Sequence, residues 1–198
     1  MRIISGELKG RSFNFLRNDK TRPLKDNVKE NIFNIIKHSK LINAKIESSN
    51  VLDLYSGVGS FGIESLSRNA KRVTFIEKDI NVTNILKENL KKLSIFHKSK
   101  IFTDKIENVL NRLEDKFNIF FLDPPFADKN YFFNLELIKN RKIFDSNHIV
   151  IIHREKNSRE NFENILHIIE ARHYGRSKIF FGKFWHFFCK KVCGAGLL

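Results

Sequence analysis

Short apolar runs alternate with amphipathic stretches from residue 50 to residue 152, and this alternation constrains the fold more than any other feature of the chain. The apolar runs predict strands at 50–54, 72–76, 99–102, 117–122 and 147–152. Helical periodicity predicts helices between them at 60–69, 80–93, 105–114 and 130–139. Strands that alternate with helices are typical of a parallel sheet in an α/β fold.

The segments on either side of this region extend the prediction. Residues 2–16 alternate loosely and contain two glycines, which favours a short hairpin or an extended arm. Residues 25–38 carry apolar side chains on one face, which predicts an amphipathic helix. Residues 163–171 and 178–188 predict two further strands. No repeat, low-complexity segment or second domain is expected.

Four acidic residues each end or directly follow a predicted strand: Asp53, Glu77, Asp104 and Asp123. Ligand sites in open α/β sheets lie at the carboxyl ends of the strands. The chain therefore places four carboxylates where a site is expected.

A glycine loop follows the first of these acids. Gly57, Gly59 and Gly62 form the Gly-x-Gly-x-x-Gly pattern in which a bare backbone and a helix N-terminus bind a pyrophosphate. Here Asp53 stands four residues before the first glycine, where a carboxylate would repel a pyrophosphate. It suits a cationic or amine-bearing group instead, which favours S-adenosylmethionine over a nicotinamide dinucleotide. The glycine pattern alone would be weak evidence for a site.

The acids of the next two strands have both functional and structural interpretations. Glu77 lies twenty residues after Gly57 and is placed to accept hydrogen bonds from ribose hydroxyls, while Asp79 is the expected N-cap of the following helix. Asp104 could accept from an adenine amino group or cap the next helix, and both roles are compatible.

The tetrapeptide Asp123-Pro124-Pro125-Phe126 follows the apolar run 117–122. Two prolines make the segment stiff and extended and remove two backbone donors. A fixed carboxylate beside an aromatic ring suits a flat substrate that bears an amine, because the ring stacks while the carboxylate accepts from the amine. The alternative is a turn that only closes the strand.

Together these motifs resemble the cofactor and catalytic motifs of Rossmann-like amino-methyltransferases. More narrowly, the chain is similar to the bacterial RsmD family from residue 2 to about residue 184. The most discriminating matches are Arg2-Ile3-Ile4-Ser5-Gly6 with Lys9-Gly10-Arg11, and the segment 21–34. Leu66-Ser67-Arg68-Asn69-Ala70 and Tyr174-Gly175 also fit, whereas Asp-Pro-Pro-Phe is shared with DNA adenine methyltransferases.

The resemblance implies a class I methyltransferase fold, with a mostly parallel seven-stranded sheet and an antiparallel last strand. It implies methyl transfer from S-adenosylmethionine to the exocyclic N2 of a guanine in small-subunit (16S) ribosomal RNA. The implied catalytic residues are Asp123, Pro124, Pro125 and Phe126. The implied cofactor-binding residues are Asp53, Tyr55, Ser56, Gly57, Gly59, Glu77, Lys78 and Asp104. Two alternatives remain open: an adenine-N6 DNA methyltransferase, and a non-catalytic RNA-binding assembly factor.

The charge of the chain also indicates a nucleic-acid partner. The net charge is +14, although an AT-rich coding sequence would also enrich lysine. Residues 1–40 concentrate basic side chains, including several arginines, which favour bidentate phosphate contacts. We expect RNA contacts from Arg2, Lys9, Arg11, Arg22 and Lys25.

The remaining expectations concern organisation. We predict a basic RNA-facing extension at 1–40, a methyltransferase domain at 41–188 and a tail at 189–198. The two cysteines, both in that tail, do not have a convincing metal-binding spacing, so no metal is expected. The seven scattered histidines are expected to be exposed or structurally satisfied. No membrane segment is apparent, and a cytoplasmic monomer acting on the small subunit or its assembly intermediate is expected.

Overall fold

The computed structural model describes residues 1–15 and 24–185. The predicted Arg22 contact, residues 186–188 of the last predicted strand and the tail at 189–198 lie outside the described residues. The described elements, in chain order, are α1 (Asp26–His38), β1 (Asn50–Leu54), α2 (Ser60–Ser67), β2 (Arg72–Glu77), α3 (Ile80–Lys92), a 3₁₀ turn (Phe96–Lys98), β3 (Ser99–Thr103), α4 (Ile106–Arg112), β4 (Phe117–Leu122), α5 (Tyr131–Arg141), β5 (Phe144–Glu155), β6 (Leu166–Tyr174) and β7 (Ser177–Phe184).

The strands form one seven-stranded sheet in the order β3-β2-β1-β4-β5-β7-β6. The first five strands are parallel, and β7 runs antiparallel to both β5 and β6. The predicted α/β class and the antiparallel last strand are therefore confirmed.

Helices cover both faces of the sheet because its central strands are apolar on both sides. In β4, Ile119 and Phe121 pack into one core, under α1, α2 and α3. Their neighbours Phe120 and Leu122 pack into the other core, under α4 and α5. The alternation of successive side chains between two faces produces three layers.

The starts of two strands differ most from the prediction. The strand β5 was expected at 147–152 but begins at Phe144, because Phe144 pairs with Phe117 across a register irregularity. The strand β6 begins at Leu166 rather than 163, because a turn closes first: the amides of Ile165 and Leu166 both donate to the Phe162 carbonyl.

The N-terminal arm is a hairpin-like segment that packs against α2. An antiparallel bridge joins Arg2 to Ser12, and the arm's Ile3 and Phe13 are buried in the first core. The Glu64 carboxylate accepts from the amides of Ile4 and Ser5, at 2.8 and 3.0 Å. The arm thus shares its core with the sheet, and the domain division at residue 40 stays a prediction.

Candidate active site

The parallel register brings three of the predicted acids to one edge of the sheet. Leu54 pairs with Ile76 on one side and with Leu122 on the other, so the acids at these three strand ends are neighbours. Burial raises the pKa of Asp53 well above its usual range. The nearby carboxylates of Asp123 and Glu77 raise it further, against the opposing effect of a hydrogen bond from an amide.

That amide belongs to Gly62, which donates to Asp53 Oδ2 at 2.9 Å. The carboxylate therefore holds the first turn of α2 against the end of β1. Two glycines are required here for steric reasons. At Gly59, φ is +88° and a Cβ would lie 2.5 Å from Leu86 Cδ1, while at Gly62 a Cβ would lie 2.2 Å from Phe75 Cε1.

Glu77 closes the glycine loop from the adjacent strand. Its Oε2 accepts from the Gly57 amide and its Oε1 from the Asp79 amide, both at 3.0 Å. Asp79 caps α3 by accepting from Asn81 N and Val82 N, as predicted. Each Glu77 oxygen keeps a second lone pair for a ligand. The ribose-binding role of Glu77 stays a prediction, as does the role of Lys78, which is exposed.

Asp104 is engaged at the start of α4. Its Oδ1 accepts from Asn108 Nδ2 and the Lys105 amide, and its Oδ2 accepts from Arg112 at 2.8 Å. The hydrogen bond from Asn108 is the largest of the effects that lower the pKa of Asp104. Asp104 is therefore not the expected N-cap of α4: the N-cap is Lys105, whose amide donates to Asp104. Its adenine-binding role stays a prediction.

Tyr55 and Ser56 join the glycine loop to its surroundings. The Ser56 amide and hydroxyl both donate to the Ile76 carbonyl, at 3.1 and 3.2 Å. The Tyr55 hydroxyl accepts from Asn134 Nδ2 on α5 at 3.0 Å, and burial raises the pKa of that phenol. These contacts stabilise the loop, and direct binding of a cofactor by either side chain remains a prediction.

The catalytic carboxylate predicted at Asp123 lies next to a histidine. Asp123 Oδ1 is 2.8 Å from His153 Nδ1, and the Phe126 ring stands edge-on to that imidazole with centroids 5.8 Å apart. The Phe126 side chain is 37% exposed, so its ring is available to a ligand. The structure thus combines a fixed carboxylate with an accessible aromatic ring.

The Arg154 side chain fixes the backbone of the same tetrapeptide by hydrogen bonds to its carbonyls. Its Nη1 donates to the carbonyls of Pro124 and Pro125 at 3.4 and 3.2 Å, and its Nη2 donates to the Phe126 carbonyl at 2.7 Å. Its Nε donates to Glu160 at 2.8 Å, and that carboxylate also accepts from the Tyr131 hydroxyl. Both members of this Arg–Glu pair are nearly inaccessible to solvent.

The sequence prediction missed His153 and Arg154. No local signal in the sequence indicates them, because their contacts depend on the register of β4 with β5, in which Leu122 pairs with Ile152. The expectation that histidines are structurally satisfied did not anticipate a contact with Asp123.

The predicted RNA-binding side chains lie on the arm and at the start of α1. Lys9, Arg11 and Lys25 are exposed, and Arg2 is exposed while pairing with Asp26 at 3.5 Å. Lys29 Nζ lies 3.3 Å from the Arg2 carbonyl and 3.4 Å from Ser60 Oγ, which places the beginning of the arm beside the start of α2. Their RNA contacts stay a prediction.

The edge suits S-adenosylmethionine on the chemistry of its side chains. The carboxylates of Asp123 and Glu77 lie close enough to Asp53 to raise its pKa, so this edge of the sheet favours a cation. A ligand with a sulfonium and an ammonium group supplies that charge.

Within the described residues there is no group of three or more His, Cys, Asp or Glu side chains arranged to hold a metal ion. None of the described helices combines the length and apolar character needed to cross a membrane.

The chain matches a protein family described as Conserved hypothetical protein 95 over residues 1–183. It is 30% identical over 154 residues to the ribosomal RNA small subunit methyltransferase D of Buchnera aphidicola, covering 78% of each protein. It is 38% identical over 129 residues to the protein of that name in Haemophilus influenzae, covering 64% of each. The solved structure of yhhF from Escherichia coli has a TM-score of 0.80 and 25% identity, over 93% of this chain and 97% of that one.

The fold and these matches define a Rossmann-like methyltransferase that uses S-adenosylmethionine. Within that class, the chain belongs to the RsmD family, whose members include the small-subunit methyltransferases D named above.

Proposed function

We propose that the protein transfers a methyl group from S-adenosylmethionine to the exocyclic N2 of a guanine in 16S ribosomal RNA. The observation that carries this proposal is the Asp123 carboxylate, which His153 holds at the sheet edge beside an exposed Phe126 ring. The names of the relatives in Buchnera aphidicola and Haemophilus influenzae support the substrate class.

The chemistry of the amine explains why this arrangement would accelerate the reaction. The lone pair of a guanine N2 is delocalised into the ring, so the amine is a poor nucleophile. Asp123 and the Pro124 carbonyl would both accept from it and draw the nitrogen towards tetrahedral geometry. Positive charge develops on the nitrogen during attack, and a fixed anionic acceptor stabilises that charge most in the transition state.

The cofactor, when bound, supplies an activated methyl group on a sulfonium. The residues of the chain therefore have to hold the substrate amine in line with the methyl group of the cofactor. Much of the remaining rate acceleration arises from this alignment. A base paired within a helix cannot reach this edge, so the target base would be unpaired or flipped out and stacked on Phe126.

The basic arm supplies the proposed contacts to the RNA backbone. Arg2, Lys9, Arg11, Arg22 and Lys25 would bind phosphates and orient the substrate without selecting the base. We infer that the protein works as a cytoplasmic monomer on the small subunit or its assembly intermediate.

The first test is methylation with radiolabelled S-adenosylmethionine. Small subunits from a strain lacking this gene are incubated with the protein, and the labelled nucleoside is identified after digestion of the RNA. Label in N2-methylguanosine is the expected result. Label in N6-methyladenosine would replace the proposed substrate with adenine, and cofactor binding without label in any RNA would favour a non-catalytic role.

The second test separates catalysis from cofactor binding. Replacing Asp123 with alanine should lower kcat by about 10²-fold or more, while the cofactor Kd changes only a few-fold. Asp115→Ala is the matched control, because Asp115 precedes β4 and so lies at the opposite end of that strand. An equal loss of cofactor binding and turnover in Asp123→Ala would contradict the proposed role of this carboxylate.

A further inference from the structure

A chain of hydrogen bonds leads from Asp123 through His153 to Ser177. His153 Nδ1 lies 2.8 Å from Asp123 Oδ1, and His153 Nε2 lies 2.8 Å from Ser177 Oγ. The His153 side chain is only 11% exposed, so its two ring nitrogens bond to these side chains rather than to bulk water. The three residues come from the end of β4, the end of β5 and the start of β7, so only the folded sheet assembles them.

The arrangement of donors and acceptors determines where the proton lies. An ionised carboxylate has acceptors only, so Nδ1 must carry the hydrogen that bridges it to Asp123. In a neutral imidazole the other nitrogen is then an acceptor, and the Ser177 hydroxyl, which both donates and accepts, donates to it. Asp123 thus sets the tautomer, and the Ser177 hydroxyl satisfies the remaining nitrogen of the imidazole.

This hydrogen bond leaves the two carboxylate oxygens of Asp123 unequal. Oδ1 is held by the imidazole, whereas Oδ2 accepts no hydrogen bond from the described residues. The side chain is 23% exposed, so Oδ2 remains accessible to a ligand. Without His153 the carboxylate could rotate about its χ2 torsion, which is broad and roughly two-fold in aspartate.

We propose that His153 is the positioning residue of the methyl-transfer reaction. It donates from Nδ1 to Asp123 Oδ1 and thereby fixes Oδ2 as the acceptor for the substrate amine, while Ser177 donates to its other ring nitrogen. This inference rests on the proposed function, because it assigns the role of a residue in the same site.

The other buried histidine nearby illustrates the difference from a purely structural role. His148 contacts two backbone groups, the Asp145 carbonyl at 2.6 Å and the Phe184 amide at 2.9 Å. His153 instead contacts two side chains, one of which is the predicted catalytic carboxylate.

Two amide substitutions separate the two ends of the imidazole. The Nδ2 of asparagine takes the place of Nδ1, so His153→Asn keeps a donor for Asp123 and loses the contact with Ser177. The Nε2 of glutamine takes the place of the imidazole Nε2, so His153→Gln reaches Ser177 and loses the contact with Asp123. Both variants remain polar and neutral, and thermal unfolding of each controls for loss of the fold.

The expected result is rescue by one amide only. His153→Gln should lose about 10²-fold in kcat, as expected when a reacting group is misplaced, whereas KM for the RNA and the cofactor Kd change little. His153→Asn should retain kcat to within about fivefold of the wild type, since it keeps the donor. Equal kcat values for the two variants, high or low, would overturn the proposal.

A spectroscopic measurement keeps the inference testable if the proposed function fails. Nitrogen-15 NMR of the His153 ring should show the proton on Nδ1 in the wild type, and Asp123→Ala should shift the proton to Nε2. An Nε2 proton in the wild-type ring would overturn the positioning role whatever the RNA substrate is. Absence of N2-methylguanosine together with an Nδ1 proton would refute the proposed function and leave the Asp123–His153 bond in place.

Discussion

Arg154 connects the tetrapeptide Asp123-Pro124-Pro125-Phe126 to the rest of the protein. Every nitrogen of its guanidinium donates a hydrogen bond, three of those bonds reach successive carbonyls from Pro124 to Phe126, and Glu160 neutralises the charge. Proline removes the amides of positions 124 and 125, so the segment cannot be anchored by those donors. Its carbonyls are anchored instead, and the planar donor set of arginine suits this task better than lysine would.

Loss of the Arg154 side chain should therefore destabilise the protein strongly. Arg154→Met leaves Glu160 without its cation and should lower the free energy of unfolding by about 3–5 kcal/mol. The exposed pair between Lys100 and Asp115 provides the control, and Lys100→Met should cost less than about 1 kcal/mol. Urea unfolding measures both. Similar losses of unfolding free energy in the two variants would show that burial does not make the Arg154–Glu160 pair more important for stability than an exposed pair.

Asp53 combines a structural hydrogen bond with an unfavourable charge. Its raised pKa means that the folded protein binds its proton more tightly than the unfolded chain, whose carboxyl has its usual value of 3.8. Stability from this group is therefore fully present below that value and is lost as pH rises towards the folded pKa.

Replacing Asp53 with asparagine should remove this loss of folding stability at high pH. The amide oxygen can still accept from Gly62, so Asp53→Asn should be more stable than the wild type at pH 8 and equal to it near pH 4. Urea unfolding at the two pH values measures this difference. A variant that is less stable at pH 8 would show that the ionised form is favoured in the fold.

At the scale of elements, α2 carries the attachment of the N-terminal arm. Glu64 is fully buried and accepts from two arm amides, while Arg68 donates to it at 2.8 Å and Lys29 Nζ lies 3.9 Å away. Lys29 is also fully buried, and burial lowers its pKa although Glu64 and Asp26 oppose that effect. One carboxylate thus joins the arm, α1 and α2.

Removing the charge of Glu64 should weaken this attachment. Glu64→Gln leaves Lys29 buried with only Asp26 as a counter-charge, and should cost about 3–5 kcal/mol of unfolding free energy. Amide exchange of Ile4 and Ser5 should rise before that of the central strands, because the arm opens locally. Asp115→Asn, at an exposed ion pair with Lys100, is the control and should leave exchange in the arm unchanged. Uniform acceleration across the sheet would argue against a separate opening of the arm.

The elements themselves could be predicted because their signals are local. Periodicity within single segments located the seven strands and five α-helices of the described residues, and the acids at the ends of four strands indicated the candidate edge. His153 and Arg154 could not be assigned this way, because their roles depend on the pairing of β4 with β5 across 30 residues. Glu64 was equally inaccessible, since its partners Ile4 and Ser5 are about 60 residues away.

At the scale of the whole molecule, the two charge signs occupy different elements. The ends of β1, β2 and β4 carry the acids that suit a cationic cofactor, whereas the arm carries the exposed basic side chains of Lys9 and Arg11. This separation lets one small protein attract a polyanion without repelling a positively charged cofactor. The net charge of +14 supplies long-range attraction, while local contacts of the arm would set the orientation.

The arm's contribution should appear in the salt dependence of RNA binding. Each phosphate contact releases counterions, so the slope of log K against log salt should become shallower by about 1 for each basic contact removed. Lys9→Gln combined with Arg11→Gln should flatten the slope by about 2. Lys45→Gln combined with Lys116→Gln removes the same charge from exposed positions before β1 and β4, at the amino ends of the strands. Both doubles lower the net charge from +14 to +12 (14 − 2). A general charge effect would move the two slopes equally, whereas phosphate contacts at the arm move only the first.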